Sequence, residues 1–72
     1  MILNQRLRSL RVNNKFTQQD IANVLGVLPT TFQKFEHGTA RPKLENIVKL
    51  ADFFNVSVDY LLGRSNTPTR LP

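Results

Sequence analysis

Seventy-two residues make one small domain and exclude a second, and the absence of cysteine excludes disulfides, thiolate metal sites and cysteine nucleophiles. Ten Lys and Arg against five Asp and Glu leave a net charge of +5, and the excess is unevenly placed. Residues 1–43 hold Arg6, Arg8, Arg11, Lys15, Lys34, Arg41 and Lys43 against Asp20 and Glu36, whereas residues 44–72 balance, so the field that attracts a polyanion belongs to the N-terminal portion. No apolar run approaches the roughly 18 residues of a spanning helix, and the opening Met1-Ile2-Leu3-Asn4-Gln5-Arg6 lacks the basic-then-apolar order of a signal peptide. A cytoplasmic protein is expected. A chain this short buries only about 60% of its unfolded surface, which favours help from a partner subunit.

Leu3, Leu7 and Leu10 follow the spacing of one helical face and predict a first helix that stops around Asn13-Asn14, residues that tolerate the left-handed conformation. Thr17 as cap, Asp20 at the third helical position, and Phe16 with Ile21 at staple positions open a second helix over 18–25. Its inward face is Ile21, Ala22 and Leu25. Gly26-Val27-Leu28 then leads to Pro29, a good first residue for a third helix over 29–36 with Val27, Phe32 and Phe35 inward and Gly38 as terminator. After Thr39-Ala40-Arg41-Pro42, the stripe Leu44, Ile47, Val48, Leu50, Ala51 and Phe54 predicts a fourth helix over 43–54. Asn55 breaks it. Ser57 caps a short fifth helix through Leu62, with Gly63 as terminator, and residues 64–72 carry too little apolar surface to pack, so a flexible tail is expected.

Two short helices joined by a three-residue turn containing glycine form a helix-turn-helix, whose second helix is placed to enter a major groove. The rest of the chain resembles the Cro/CI repressor family of lambda-repressor-like, xenobiotic response element helix-turn-helix domains, over about residues 3–64. The resemblance is carried by Leu7-Arg8-Ser9-Leu10-Arg11, Thr17-Gln18-Gln19-Asp20-Ile21-Ala22, Gly26-Val27, Phe35-Glu36-His37-Gly38, Arg41-Pro42-Lys43-Leu44 and the ending Ala51 to Gly63. It implies an all-α, five-helix fold, with residues 1–63 as the domain and 64–72 as the tail.

The resemblance further implies that Gln18 hydrogen-bonds a DNA phosphate and that the base-reading positions of the third helix fall on Pro29, Thr30, Gln33 and Lys34. Lysine donates to guanine acceptors, glutamine pairs with adenine, and threonine offers a methyl group and a hydroxyl. Pro29 cannot hydrogen-bond a base, so the expected base contacts are Thr30, Gln33 and Lys34. Thr31, His37, Arg41 and Lys43 join Gln18 as expected backbone contacts. Three positions depart from the family pattern: Leu28 and Lys43 stand where capping residues are usual, and Pro29 stands where a base-reading polar residue is.

Arg11 and Glu36 match positions that form an ion pair in this family and are assigned a structural role. His37 has no second histidine or carboxylate cluster around it, so neither a metal site nor acid-base catalysis is expected. Phe53, Val56, Val58, Tyr60 and Leu61 offer a candidate dimer surface, the alternative being partial burial within one subunit. The reading is a sequence-specific double-stranded DNA-binding transcriptional regulator, prokaryotic or phage-encoded, acting as a repressor. It is expected to be a homodimer on a pseudo-palindromic operator, without enzyme activity or cofactor. An antitoxin-like protein-interaction module, or the N-terminal DNA-binding domain of a longer regulator, remains open.

Overall fold

The computed structural model describes residues 2–69. Met1 and the end of the expected tail, Arg70 included, lie outside the described residues. Five helices follow in order: α1 (Ile2–Asn13), α2 (Gln18–Leu25), α3 (Pro29–His37), α4 (Leu44–Phe54) and α5 (Val58–Leu61). No strand occurs among the described residues.

The helix starts follow from capping. Thr17 Oγ1 accepts from the Asp20 N–H at 3.0 Å while Asp20 Oδ2 accepts from the Thr17 N–H at 2.8 Å, a complete capping box despite the shorter acid. Ser57 Oγ accepts from the Tyr60 N–H and starts α5. Leu28 and Lys43, at the caps of α3 and α4, make no side-chain cap. At α3, Pro29 has no N–H to satisfy at the first position.

The helix ends share one device. A residue in the left-handed region turns the chain, and the next N–H reaches back to a carbonyl five residues earlier: Phe16 to Arg11, Val27 to Ala22, Thr39 to Lys34 and Val56 to Ala51, at 3.0–3.1 Å. Glycine supplies that conformation at Gly26, with φ 70, without the steric cost a side chain would bring. Asn55 supplies it after α4. After α1, the expectation that Asn13 or Asn14 takes this role is corrected. Lys15 is the left-handed residue, with φ 63, and Asn14 uses its side chain to donate to the Leu10 carbonyl instead. The reason is register: the left-handed residue must precede the apolar Phe16, which packs on Phe53 and Phe54 with ring centroids 5.2 and 6.3 Å away.

The same device accounts for a second correction. Val56 follows the turn at Asn55 and is swung back into the core, 5% exposed, and Leu61 of α5 is fully buried. Neither is available to a dimer surface. Of that expected patch, Phe53 remains exposed, and Val58 and Tyr60 are half-buried. Along α4, Ile47, Leu50 and Ala51 are buried with Phe54 half-buried, the i, i+3, i+4, i+7 face. Leu44 and Val48, expected in the same stripe, lie off that face and are exposed.

The core joins all five helices: Leu7, Ile21, Phe32, Leu50 and Leu61 are each fully buried, and each such side chain contributes roughly 1.5–3 kcal/mol by leaving water. A polar clamp closes the two ends of the chain. The Arg6 guanidinium of α1 lies 4.1 Å from the Tyr60 ring centre and donates to the carbonyls of Tyr60 and Ser65 and to Asn66 Oδ1. The Ser57 N–H donates to the Pro68 carbonyl. Polar groups thus set the path of residues 65–68.

Two substitutions test this account by urea denaturation. Phe32→Ala is expected to remove about 3–5 kcal/mol of stability through an unfilled core site. Lys15→Gly is expected to add about 0.5 kcal/mol, since relief of the left-handed strain slightly exceeds the entropy that glycine costs.

Candidate nucleic-acid interface

Helix α3 advances about 100° per residue, so its nine residues sort cleanly by face. Phe32, Phe35 and Glu36 point inward and are buried. Thr30, Gln33, Lys34 and His37 form one continuous exposed arc. Thr31, half-buried, stands at one edge of the arc, and Glu36 at the other. The expected base-reading residues therefore share one solvent-facing surface, while Leu28 stands exposed just before the helix begins.

Beyond the Glu36 edge lies a cleft lined by Arg8, Arg11, Gln18, Glu36 and His37. Its floor is a hydrogen-bonded network centred on Glu36. Arg11 Nε donates to Oε2 at 2.5 Å and Arg11 Nη2 to Oε1 at 3.1 Å, while Gln18 Nε2 donates to Oε1 at 3.0 Å. Arg11 Nη1 also donates to the Phe16 carbonyl. Three helices meet here, because Arg11 belongs to α1, Gln18 opens α2 and Glu36 sits in the last turn of α3. Asn4 adds a fourth tie through its Nδ2 group, which donates to the Glu36 carbonyl at 3.2 Å. The Asn4 side chain occupies the space beside Gly38, where an added Cβ would lie 3.4 Å from it. Gln18 is half-buried, and Glu36 takes one of its two amide protons, leaving the other for a ligand.

Beyond the Thr31 edge, a second cleft runs between the α2–α3 turn and the start of α4. Thr31, Arg41, Lys43, Glu45 and Lys49 contribute to its lining, and Arg41, Lys43 and Lys49 are exposed. The expected contacts thus divide into an arc on α3 (Thr30, Gln33, Lys34, His37), one flank with Gln18 and another with Thr31, Arg41 and Lys43. The remnants of the expected dimer patch, Phe53, Val58 and Tyr60, line neither cleft.

Arg8, Asn4 and Lys49 enter the site although no role was expected of them. For α1 the signal exists: Asn4, Arg8 and Arg11 form a polar stripe at i, i+4 and i+7 beside the apolar stripe of Leu3, Leu7 and Leu10. For Lys49 the sequence offers none, since its charge is balanced within its own half of the chain and only the fold carries it to the cleft. Among the described residues no three His, Asp or Glu side chains gather as metal ligands would.

The chain as a whole is similar to known proteins. The helix-turn-helix domain family matches residues 4–66. The cryptic phage CTXphi transcriptional repressor RstR of Vibrio cholerae is 38% identical over 66 residues, spanning 92% of this chain and 60% of that repressor. The chain therefore spans less than two thirds of this relative's length. Among solved structures, a transcriptional regulator from Listeria innocua superposes with a TM-score of 0.83 at 28% identity, over 85% of this chain and 57% of the other. The P22 c2 repressor in complex with a synthetic operator gives a TM-score of 0.78 at 26% identity, over 85% of this chain and 92% of the other.

The side chains of Arg11 and Glu36 are only 14% and 4% exposed, so their pairing is a buried one whose loss on one side strands a charge. Arg11→Met is expected to cost about 3–5 kcal/mol, and Arg11→Met with Glu36→Leu markedly less, because the double change leaves no unpaired carboxylate. Urea denaturation of both variants measures the difference; equal losses would mean that Glu36 finds compensation elsewhere.

Proposed function

The chain belongs to the helix-turn-helix domain family, and we propose that it is a sequence-specific DNA-binding regulator of transcription that lays α3 in the major groove and represses by occupying an operator. The observation that carries this reading is the exposed polar arc of Thr30, Gln33, Lys34 and His37, held rigid from behind by buried Phe32 and Phe35. A helix with one wholly polar face and one wholly buried face is suited to enter the roughly 12 Å major groove. The relatives support the reading: RstR is a transcriptional repressor, and the P22 c2 structure is a complex with operator DNA.

In this reading Lys34 donates to guanine acceptors, Gln33 donates to the N7 acceptor of adenine and accepts from its N6 amino group, and Thr30 contacts a thymine methyl group or a neighbouring base edge. Gln18 gives its second amide proton to a phosphate, and Thr31, His37, Arg41 and Lys43 hold the backbone nearby. These contacts set register and add affinity without reading sequence. A homodimer binds two half-sites about one helical turn apart, roughly 34 Å, on a pseudo-palindromic site. Phe53, whose ring packs on Phe16 and Phe54 but stays partly exposed, is the aromatic of the expected patch that can contribute to that pairing. The protein acts by binding and not by catalysis, in the cytoplasm; no helix among the described residues is long and apolar enough to cross a membrane.

Selection of bound duplexes from a random pool at about 0.15 M salt, where nonspecific phosphate attraction is weak, is expected to enrich an inverted repeat. Lys34→Ala is expected to lose about 1–3 kcal/mol of discrimination at a single position of each half-site. Binding that fades with salt and enriches no sequence would overturn the proposal.

A further inference from the structure

Two cations outside the expected contacts flank α3 on opposite edges of its exposed arc. Arg8, on α1, lines the cleft beyond Glu36, and Lys49, in the second turn of α4, lines the cleft beyond Thr31. Both are exposed, and neither makes a hydrogen bond or ion pair with another side chain among the described residues.

The charge around each cleft is unopposed or nearly so. Beyond Glu36, both carboxylate oxygens already accept from Arg11 and one of them also from Gln18, so the guanidinium of Arg8 is the free charge at that rim. Beyond Thr31, the single carboxylate of Glu45 stands against Arg41, Lys43 and Lys49. A helix lying in the major groove has a sugar-phosphate backbone on each side. The two clefts are placed to meet one backbone each, with the base-reading arc between them.

We propose that Arg8 and Lys49 are backbone-contacting residues, Arg8 on one DNA strand and Lys49 on the other, so that α3 is braced across the groove from both walls. This rests on the DNA-binding reading above and extends it to two residues on helices outside the helix-turn-helix itself. Arg8 works beside Gln18 and His37, and Lys49 beside Arg41 and Lys43. Because the contacts are to phosphate, they add affinity and salt dependence equally on every sequence and leave base preference untouched.

The test is the salt dependence of binding to the selected duplex. Each phosphate contact adds about 0.9 to the slope of log K against log salt on B-DNA. Arg8→Ala and Lys49→Ala are each expected to lower the slope by about 0.9 and the double variant by about twice that, with the selected sequence unchanged. Arg8→Lys and Lys49→Arg are expected to restore it. Arg64→Ala, which removes the same charge from the far end of the chain, is expected to leave the slope alone. Unchanged slopes in Arg8→Ala and Lys49→Ala, in variants that still bind the selected duplex with the Lys34-dependent preference, would overturn this inference and leave the DNA-binding reading standing. A wild-type protein that selects no duplex would overturn both.

Discussion

Glu36 is a carboxylate with almost no access to water, and the arrangement of the first three helices turns on satisfying it. A buried carboxylate is tolerated only when its oxygens are engaged, and here the partners arrive from two other helices: Arg11 from α1 and Gln18 from α2. The requirement fixes where the end of α3 sits relative to the start of α2. That relation is what a generic pair of packed helices leaves loose. Apolar packing of Phe32 and Phe35 holds α3 against the core but is insensitive to small rotations. Hydrogen bonds are directional, and a rotation of α3 that moved Glu36 by an ångström would unmake several at once. The network therefore converts a packed helix into an aimed one, at the edge of the exposed polar arc of α3.

The helix ends provide the second constraint. Each of the first four helices is followed by a left-handed residue and a backbone N–H that reaches back five residues. This satisfies carbonyls that would otherwise face solvent or core unpaired, and it throws the following residue back across its own helix. Phe16, Val27 and Val56 are delivered in this way to the apolar cluster, Val56 into its interior and the other two against its edge. Short connections thus supply packing surface as well as turns, which matters in a domain whose helices have only four to twelve residues each.

Much of this was legible in the sequence, and the parts that were not have physical reasons. The span of α2 follows from its cap, its acid and its glycine, and the starts of α3 and α4 from Pro29 and the loop before them, each within a residue. Periodicity gives the inward placing of Phe32 and Phe35, while the choice of Thr30, Gln33 and Lys34 as the outward functional positions comes from the family resemblance. Three features do not follow from the sequence. Lys15 rather than an asparagine takes the left-handed position, because local propensity yields to the register that brings Phe16 inward. Val56 and Leu61 look like surplus apolar residues in one dimension, since their burial depends on the turn at Asn55 and on the packing of α5 against α1 and α4. Lys49 is electrostatically silent in a count of charges by segment, and only three-dimensional proximity makes it a neighbour of Arg41 and Lys43.

The clamp formed by Arg6 carries a kinetic consequence. Its acceptors lie 54 to 60 residues further along the chain, so the loop that must close to form it spans almost the whole sequence. Contacts of such separation are entropically expensive and form late. Local turns and caps form without the clamp, which waits on the docking of residues 60–66 against α1. A chain cut before residue 65 would keep the Tyr60 carbonyl and ring for Arg6 but lose the Ser65 and Asn66 acceptors, so residues 65 and 66 help to hold the first helix against the last.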